Sequence, residues 1–276
     1  KAIRRQRQMC IRDRSGTDTE WNLHCTAHTY DPSIIRCLVK TKSLDFPLYK
    51  ELNAKSNFMI PFKDITLADK DTITSFTMKS DRRNCDLSFS NLCSWRFLYD
   101  TQFAVVDNFL VFKFWAGEQL AYMMPVGTGD LKAVLWELIE DARKENQHFC
   151  MLGVCSNMRA DLEAILPEQF TFTEDRDYAD YIYLRSDLST LKGKKFQAKR
   201  NHINRFRNTY PDYEYTPITP DRIQECLDLE AEWCKVNNCD QQEGTGNERR
   251  ALIYALHNFE ALGPVSYTHL TLPTNR

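Results

Sequence analysis

The sequence predicts a mixed α+β fold, and three observations carry that prediction. Short apolar runs separated by turn residues cluster at 103–124, a stripe of helical period runs through 131–147, and strand, helix and strand patterns follow as far as 184. From Met59 the elements read βααβββαβαββ, and a strand, helix, helix pattern starts again at 213. The expected architecture is therefore two tandem domains, the second incomplete.

Residues 59–65 read as a strand. Thr66 then caps a helix reaching about 79, with Asp69 in the first turn, where a carboxylate complements the positive end of the helix dipole. A second helix over 88–99 carries Leu92, Trp95, Phe97 and Leu98. Strands at 103–106, 109–114 and 119–124 are joined at Asp107-Asn108 and Ala116-Gly117, turns so short that the neighbours must run antiparallel. The helix over 131–147 turns Val134, Leu135, Leu138 and Ile139 inward. A buried strand at 150–154, a helix at 156–166 capped by Ser156, and strands at 170–173 and 178–184 complete the first domain.

The stretch 191–210, LKGKKFQAKRNHINRFRNTY, carries seven Lys and Arg and no Asp or Glu, in a chain whose formal charge is only −2. As a helix it places Phe196, Arg200, Ile203 and Arg207 on one face, so cations sit inside the apolar stripe. A solvated helix face would hold its cations opposite that stripe. This register instead asks for snorkelling, a buried carboxylate or an anionic ligand near Arg200. Aromatic residues accompany the cations at Phe196, Phe206 and Tyr210; core packing and base stacking are both open to them.

Composition narrows the function classes. With 42% hydrophobic and 27% charged residues, the chain is an ordinary globular protein with material for one or two cores. No apolar run approaches the roughly 20 residues of a membrane span. The ten cysteines include no C-x-x-C pair, which points to reduced thiols in a cytoplasmic protein and to no metal. His148, His202 and His257 have no Ser or Cys partner by spacing, so a hydrolytic triad is unsupported. Glu230, near Glu232 and Trp233, reads either as a salt-bridge partner or as an orienting group for an acceptor amine.

The two ends differ from the rest. Residues 4–14, RRQRQMCIRDR, resemble a conceptual translation of a transposase adapter used in DNA library preparation, and 265–276, VSYTHLTLPTNR, resemble its reverse complement. Residues 1–58 are accordingly expected to be non-native or disordered, and 264–276 an adapter-like tail. That leaves 59–185 as the first domain, 186–211 as a basic junction helix and 212–263 as the start of a truncated second domain.

Over 59–185 the element order resembles a GNAT-type acyltransferase domain. That family grips the pyrophosphate of coenzyme A in a loop reading Arg/Gln-x-x-Gly-x-Gly/Ala before a helix N-terminus. Here the matching residues are Met124-Pro125-Val126-Gly127-Thr128-Gly129. Gly127 and Gly129 are cofactor-binding candidates by that match, with a tight turn as the competing reading. Met124 offers no polar contact and Pro125 no N–H, so acyl-CoA is not expected in the first domain.

Tandem GNAT-like domains, a degenerate loop and the basic KGKKFQAKRNHINRF segment together resemble the soluble relatives of the phosphatidylglycerol lysyltransferase C-terminal domain. Peptidoglycan-bridge aminoacyltransferases are more distant kin. The resemblance covers 59–263 and implies an aminoacyl or acyl transferase whose donor is aminoacyl-tRNA and whose acceptor is an amine or hydroxyl. Lys195, Lys199, Arg200, Asn201 and Arg205 would hold a phosphate-bearing part of the substrate. In GNAT-like chemistry the acceptor attacks directly, so a missing nucleophile is no objection, and no general base is assigned. The competing class is a non-catalytic RNA- or phosphate-binding module of the same architecture.

Overall fold

The apolar run FLVFKFWA forms the long strand β4 (Phe109–Ala116) of a sheet found in a computed structural model, which describes residues 36–41, 59–82, 84–175, 184–214, 216–237 and 243–262. Asp107 and Asn108 take φ of 44° and 63°, the paired positive values of a tight hairpin turn, and fold β3 (Gln102–Val106) antiparallel against β4. Past Gly117 (φ 67°), β5 (Gln119–Tyr122) returns along the other side of β4. After 123–125, β6 (Val126–Gly127) resumes that pairing opposite Leu110 and Phe109.

Strand β2 (Lys63–Asp64) adds to β3, and β7 (Cys150–Val154) is bridged in parallel to β5 through Tyr122 and Met151. With β1 (Arg36–Thr41) and β8 (Phe170–Asp175), the order is β2-β3-β4-β5-β7-β1-β8, with β6 on β4. Strand β1 lies within residues 1–58, the stretch expected to be non-native or disordered; it pairs antiparallel with both β7 and β8, and Val39 is fully buried. Backbone groups of β7 and β8 need partners, and an alternating RCLVKT segment supplies them. The adapter-like ends at 4–14 and 264–276 lie outside the described residues.

Helices cover both faces of the sheet. Before α1 (Lys70–Thr77), the Asp69 carboxylate accepts from the Thr66 amide at 2.9 Å, the Thr66 hydroxyl at 2.7 Å and Lys63 at 2.6 Å. Helix α2 (Phe89–Tyr99) ends at Asp100 in the left-handed conformation (φ 48°) and packs Tyr99 edge-on against Phe114. On the other face, α3 (Leu131–Lys144) and α4 (Ser156–Ile165) bury Val134, Leu135, Leu138 and Leu162 in one core with Val111, Leu120, Tyr122 and Met151. This mixed α+β arrangement is a GNAT-like acyltransferase-type domain.

The described residues divide into two units, one within 32–179 together with 250–262, the other within 180–249. In the second unit the predicted continuous helix over 191–210 is interrupted. Helix α5 (Arg185–Thr190) stops at Leu191 (φ 47°) and Gly193 (φ 93°), and α6 (Gln197–Thr209) starts after a 3-10 turn at Lys194–Phe196. The strand expected at 213–218 is not formed by its described residues, for which no pairing strand is found among the described residues. Most of the strand expected at 178–184 lies outside the described residues. Helices α7 (Ile223–Asn237), α8 (Glu243–His257) and α9 (Phe259–Leu262) follow.

Leu256 is buried in the first unit, together with Ala251, Ala255 and Leu262. There Lys70 donates to the Ala261 carbonyl at 2.7 Å. On α7, Leu229 and Val236 are exposed.

Candidate functional site

The break between α5 and α6 gives the basic residues two kinds of position. Arg200 reaches back from α6 and donates Nη1 to the carbonyls of Leu191 and Gly193, the latter at 2.8 Å. That guanidinium satisfies the C-terminal end of α5. Lys195 pairs with Asp187 at 2.9 Å and lies 4.8 Å from the ring centre of Phe196, which is 1% exposed. The Asn201 side chain accepts from Gln197 at 2.9 Å. Gln197 links Arg200 and Asn201, accepting from the guanidinium and donating to the amide oxygen, while Lys195 pairs separately with Asp187.

Lys199 and Arg205 are exposed along α6, with Lys192, Lys194 and Arg207 close in sequence. No residue of α6 is buried, so Ile203 does not follow Phe196 into a core. Phe206 packs against Tyr210 and Tyr213 with ring centres 5.2 and 5.1 Å away, and all three rings are exposed. A cationic helix ending in an exposed aromatic cluster offers phosphate contacts and stacking surfaces together.

The glycine loop is arranged differently. A Cβ on Gly127 would fall 2.1 Å from the Asn108 carbonyl oxygen, so glycine there permits the close approach of β6 to β4. Gly129 has φ 148°, and a Cβ would lie 3.2 Å from the Asp107 carbonyl oxygen. At the start of α3 the Asp130 carboxylate accepts from the Ala133 amide at 3.1 Å, so an anion of the chain already occupies this helix end. Both glycines thus answer to packing against the β3–β4 turn.

Sequence reasoning missed Arg82, whose two terminal nitrogens donate to the Met124 and Pro125 carbonyls at 2.5 Å each. Burial draws its pKa down to about 10, which leaves it protonated at neutral pH. It therefore holds the interruption between β5 and β6 from outside the motif, where no motif spacing would find it.

Lys113 was also missed. Its ammonium is 2.9 Å from both Asp141 of α3 and Glu145, the residue that caps the end of that helix, and 5.2 Å from the ring centre of Phe62. Tyr122, fully buried, donates to Asp141 at 2.6 Å. Burial disfavours the Lys113 ammonium, but the hydrogen bonds to Glu145 and Asp141 outweigh it and raise the pKa. Burial, and then the bond to Asp141, push the Tyr122 hydroxyl above its usual range. A lone lysine inside an apolar strand, with acidic residues four apart on the next helix, was the available signal.

Glu230 accepts from Arg249 Nε at 3.1 and 3.0 Å, which realises the salt-bridge reading rather than a contact with the basic segment. Cys85, Cys93, Cys150, Cys155, Cys226 and Cys234 are free thiols, and burial pushes Cys93 and Cys150 up to about 11, away from reactive thiolate character. Among the described residues, no cluster of three or more His, Cys, Asp and Glu could hold a metal, and no helix is long and apolar enough to cross a membrane.

Comparison with known proteins adds the lineage. A crystal structure described as a conserved protein of unknown function from Bacteroides thetaiotaomicron VPI-5482 is 93% identical, with a TM-score of 0.71, over 74% of this chain and 69% of that one. No curated protein matches the sequence. The profile of the family described as phosphatidylglycerol lysyltransferase, C-terminal, matches residues 77–267, which include the glycine loop, the buried lysine network and the whole basic segment. The chain belongs to the phosphatidylglycerol lysyltransferase C-terminal family.

Proposed function

We propose that the protein is an aminoacyl or acyl transferase that moves its group from a phosphate-bearing donor, aminoacyl-tRNA, to an amine or hydroxyl acceptor. Membership of the family, over residues 77–267, is the observation that carries this reading. In it, Lys199 and Arg205 contact the donor's phosphates from the exposed surface of α6. Lys195, Arg200 and Asn201 shape the turn that presents them. Residues 186–211 are the basic linking segment and 212–263 the beginning of a second GNAT-like repeat. The packed glycine loop supports a donor other than acyl-CoA in the first domain.

The test uses tRNA charged with radiolabelled lysine and offers spermidine and phosphatidylglycerol vesicles as acceptors. Acceptor-dependent movement of label off the tRNA is the expected result. A second reading, a non-catalytic RNA-binding module, is favoured by the exposed Phe206, Tyr210 and Tyr213 cluster. It predicts that tRNA binds while the label stays in place. Absence of both binding and transfer would remove the transferase reading.

A further inference from the structure

A second cationic site lies far along the sequence from α6, within the unit that holds the sheet. Where the C-terminal part of α8 meets α2, Arg96 stacks over Tyr254 at 4.2 Å and Arg250 over Phe97 at 3.9 Å, each measured to the ring centre. The pairing is reciprocal: each helix supplies one guanidinium and one ring. An open cleft of about 310 Å³ is lined by both pairs together with His257 and Asn258.

Among the described residues, no carboxylate lines this cleft. Arg96 spends one nitrogen on the Cys93 carbonyl, and His257 donates Nδ1–H to the Ile253 carbonyl at 2.8 Å, which leaves its Nε2 available. The Asn258 amide nitrogen donates to the Tyr254 carbonyl at 2.8 Å, leaving its side-chain oxygen. Stacking satisfies the faces of the two guanidiniums but not their N–H edges, which are the groups that bind oxyanions in the plane of the fork. Two like charges sharing one cleft are offset best by a ligand carrying two negative charges.

We propose that this cleft binds a small phosphate monoester, its dianion held by the edges of Arg96 and Arg250 with His257 beside it. A phosphate monoester carries about −1.5 to −2 at neutral pH, which matches the two guanidiniums, whereas one carboxylate supplies half of that. The volume is at the lower end for ligand pockets and suits a single phosphorylated small molecule. The site is independent of the α6 surface and of the transferase reading.

Calorimetric titration of the protein with O-phosphoserine tests the proposal, with acetate as the single-carboxylate comparison. Arg250→Gln, at an exposed position, should weaken phosphoserine binding tenfold or more, and so should Arg96→Gln. Arg207→Gln on α6 should leave it unchanged. In the unmutated protein, phosphoserine should shift the imidazole NMR signals of His257, a readout that requires no variant to fold. Unchanged affinity in Arg250→Gln, an equal loss in Arg207→Gln, acetate binding as tightly as phosphoserine, or unmoved His257 signals would each overturn it.

Discussion

Helices α3 and α6 are similar in length and both carry apolar residues at helical spacing, yet they end in opposite environments. Helix α3 buries Val134, Leu135, Leu138, Ile139 and Ala142 against the sheet, while α6 buries nothing. The difference lies in what interrupts the stripe. In α3 the charged residues fall outside it, and the acidic pair Asp141 and Glu145 meets a lysine sent up from the strand below. In α6 the stripe position Arg200 turns back to cap α5, and Ile203 and Phe206 are left among cations with too little apolar surface to bury. Periodicity sets which residues share a face, and the density of apolar side chains on it decides whether that face is covered.

The largest expected effect separates the two helices directly. Leu138→Ala, at a fully buried position, should cost about 2–5 kcal/mol in urea denaturation, because the surrounding core refills the cavity only in part. A cost under about 1 kcal/mol would mean that α3 is not anchored as described.

Next is the polar link beneath α3. Tyr122→Phe removes the donor to Asp141 and leaves a mostly buried carboxylate oxygen to Lys113 alone, at about 1–3 kcal/mol. A neutral result would reduce the network to packing.

Smaller and pH-dependent is the contribution of Asp69. Burial raises its pKa, but hydrogen bonds from Lys63 and Thr66 outweigh this and hold it below the ordinary 3.8. The unfolded state therefore takes up the proton first. The stabilisation is complete above 3.8 and is lost as pH falls through the lower folded value. Asp69→Asn should flatten the acid limb of stability against pH while leaving the alkaline limb unchanged; an unaltered acid limb would contradict it.

Ile203→Ala should give the smallest effect, within about 0.5 kcal/mol, since its side chain is 39% exposed on a helix with no buried residue. A cost comparable to that of Leu138→Ala would reveal a covering surface for α6.

How much was legible in the sequence follows the range of the interactions involved. The hairpin of β3 and β4, the strand β7 and the helix α3 were readable because turn residues and local period determine them. Strand β1 was not, since RCLVKT becomes a strand only through pairing with residues more than a hundred positions away. The strand expected after 213 is not formed at its described residues, for which no partner strand is found among the described residues. Of the site, the cationic run was evident by composition, but the division of labour within it was hidden. Arg200 turns inward to the Leu191 and Gly193 carbonyls because Gly193 breaks the helix, a tertiary consequence that helical projection does not contain. Arg82 acts on a loop 42 residues away, with no pattern linking the two.

The most direct test of the account is tRNA binding measured against salt concentration for the protein, for Lys199→Ala/Arg205→Ala and for Arg200→Ala. The double variant should bind more weakly and lose about two units of slope in the plot of log affinity against log salt, about one per phosphate contact removed. Arg200→Ala should lower thermal stability through the exposed end of α5 and change the slope far less. Equal affinity and equal slope in the double variant, with its fold intact, would contradict the claim that α6 holds a phosphate-bearing substrate.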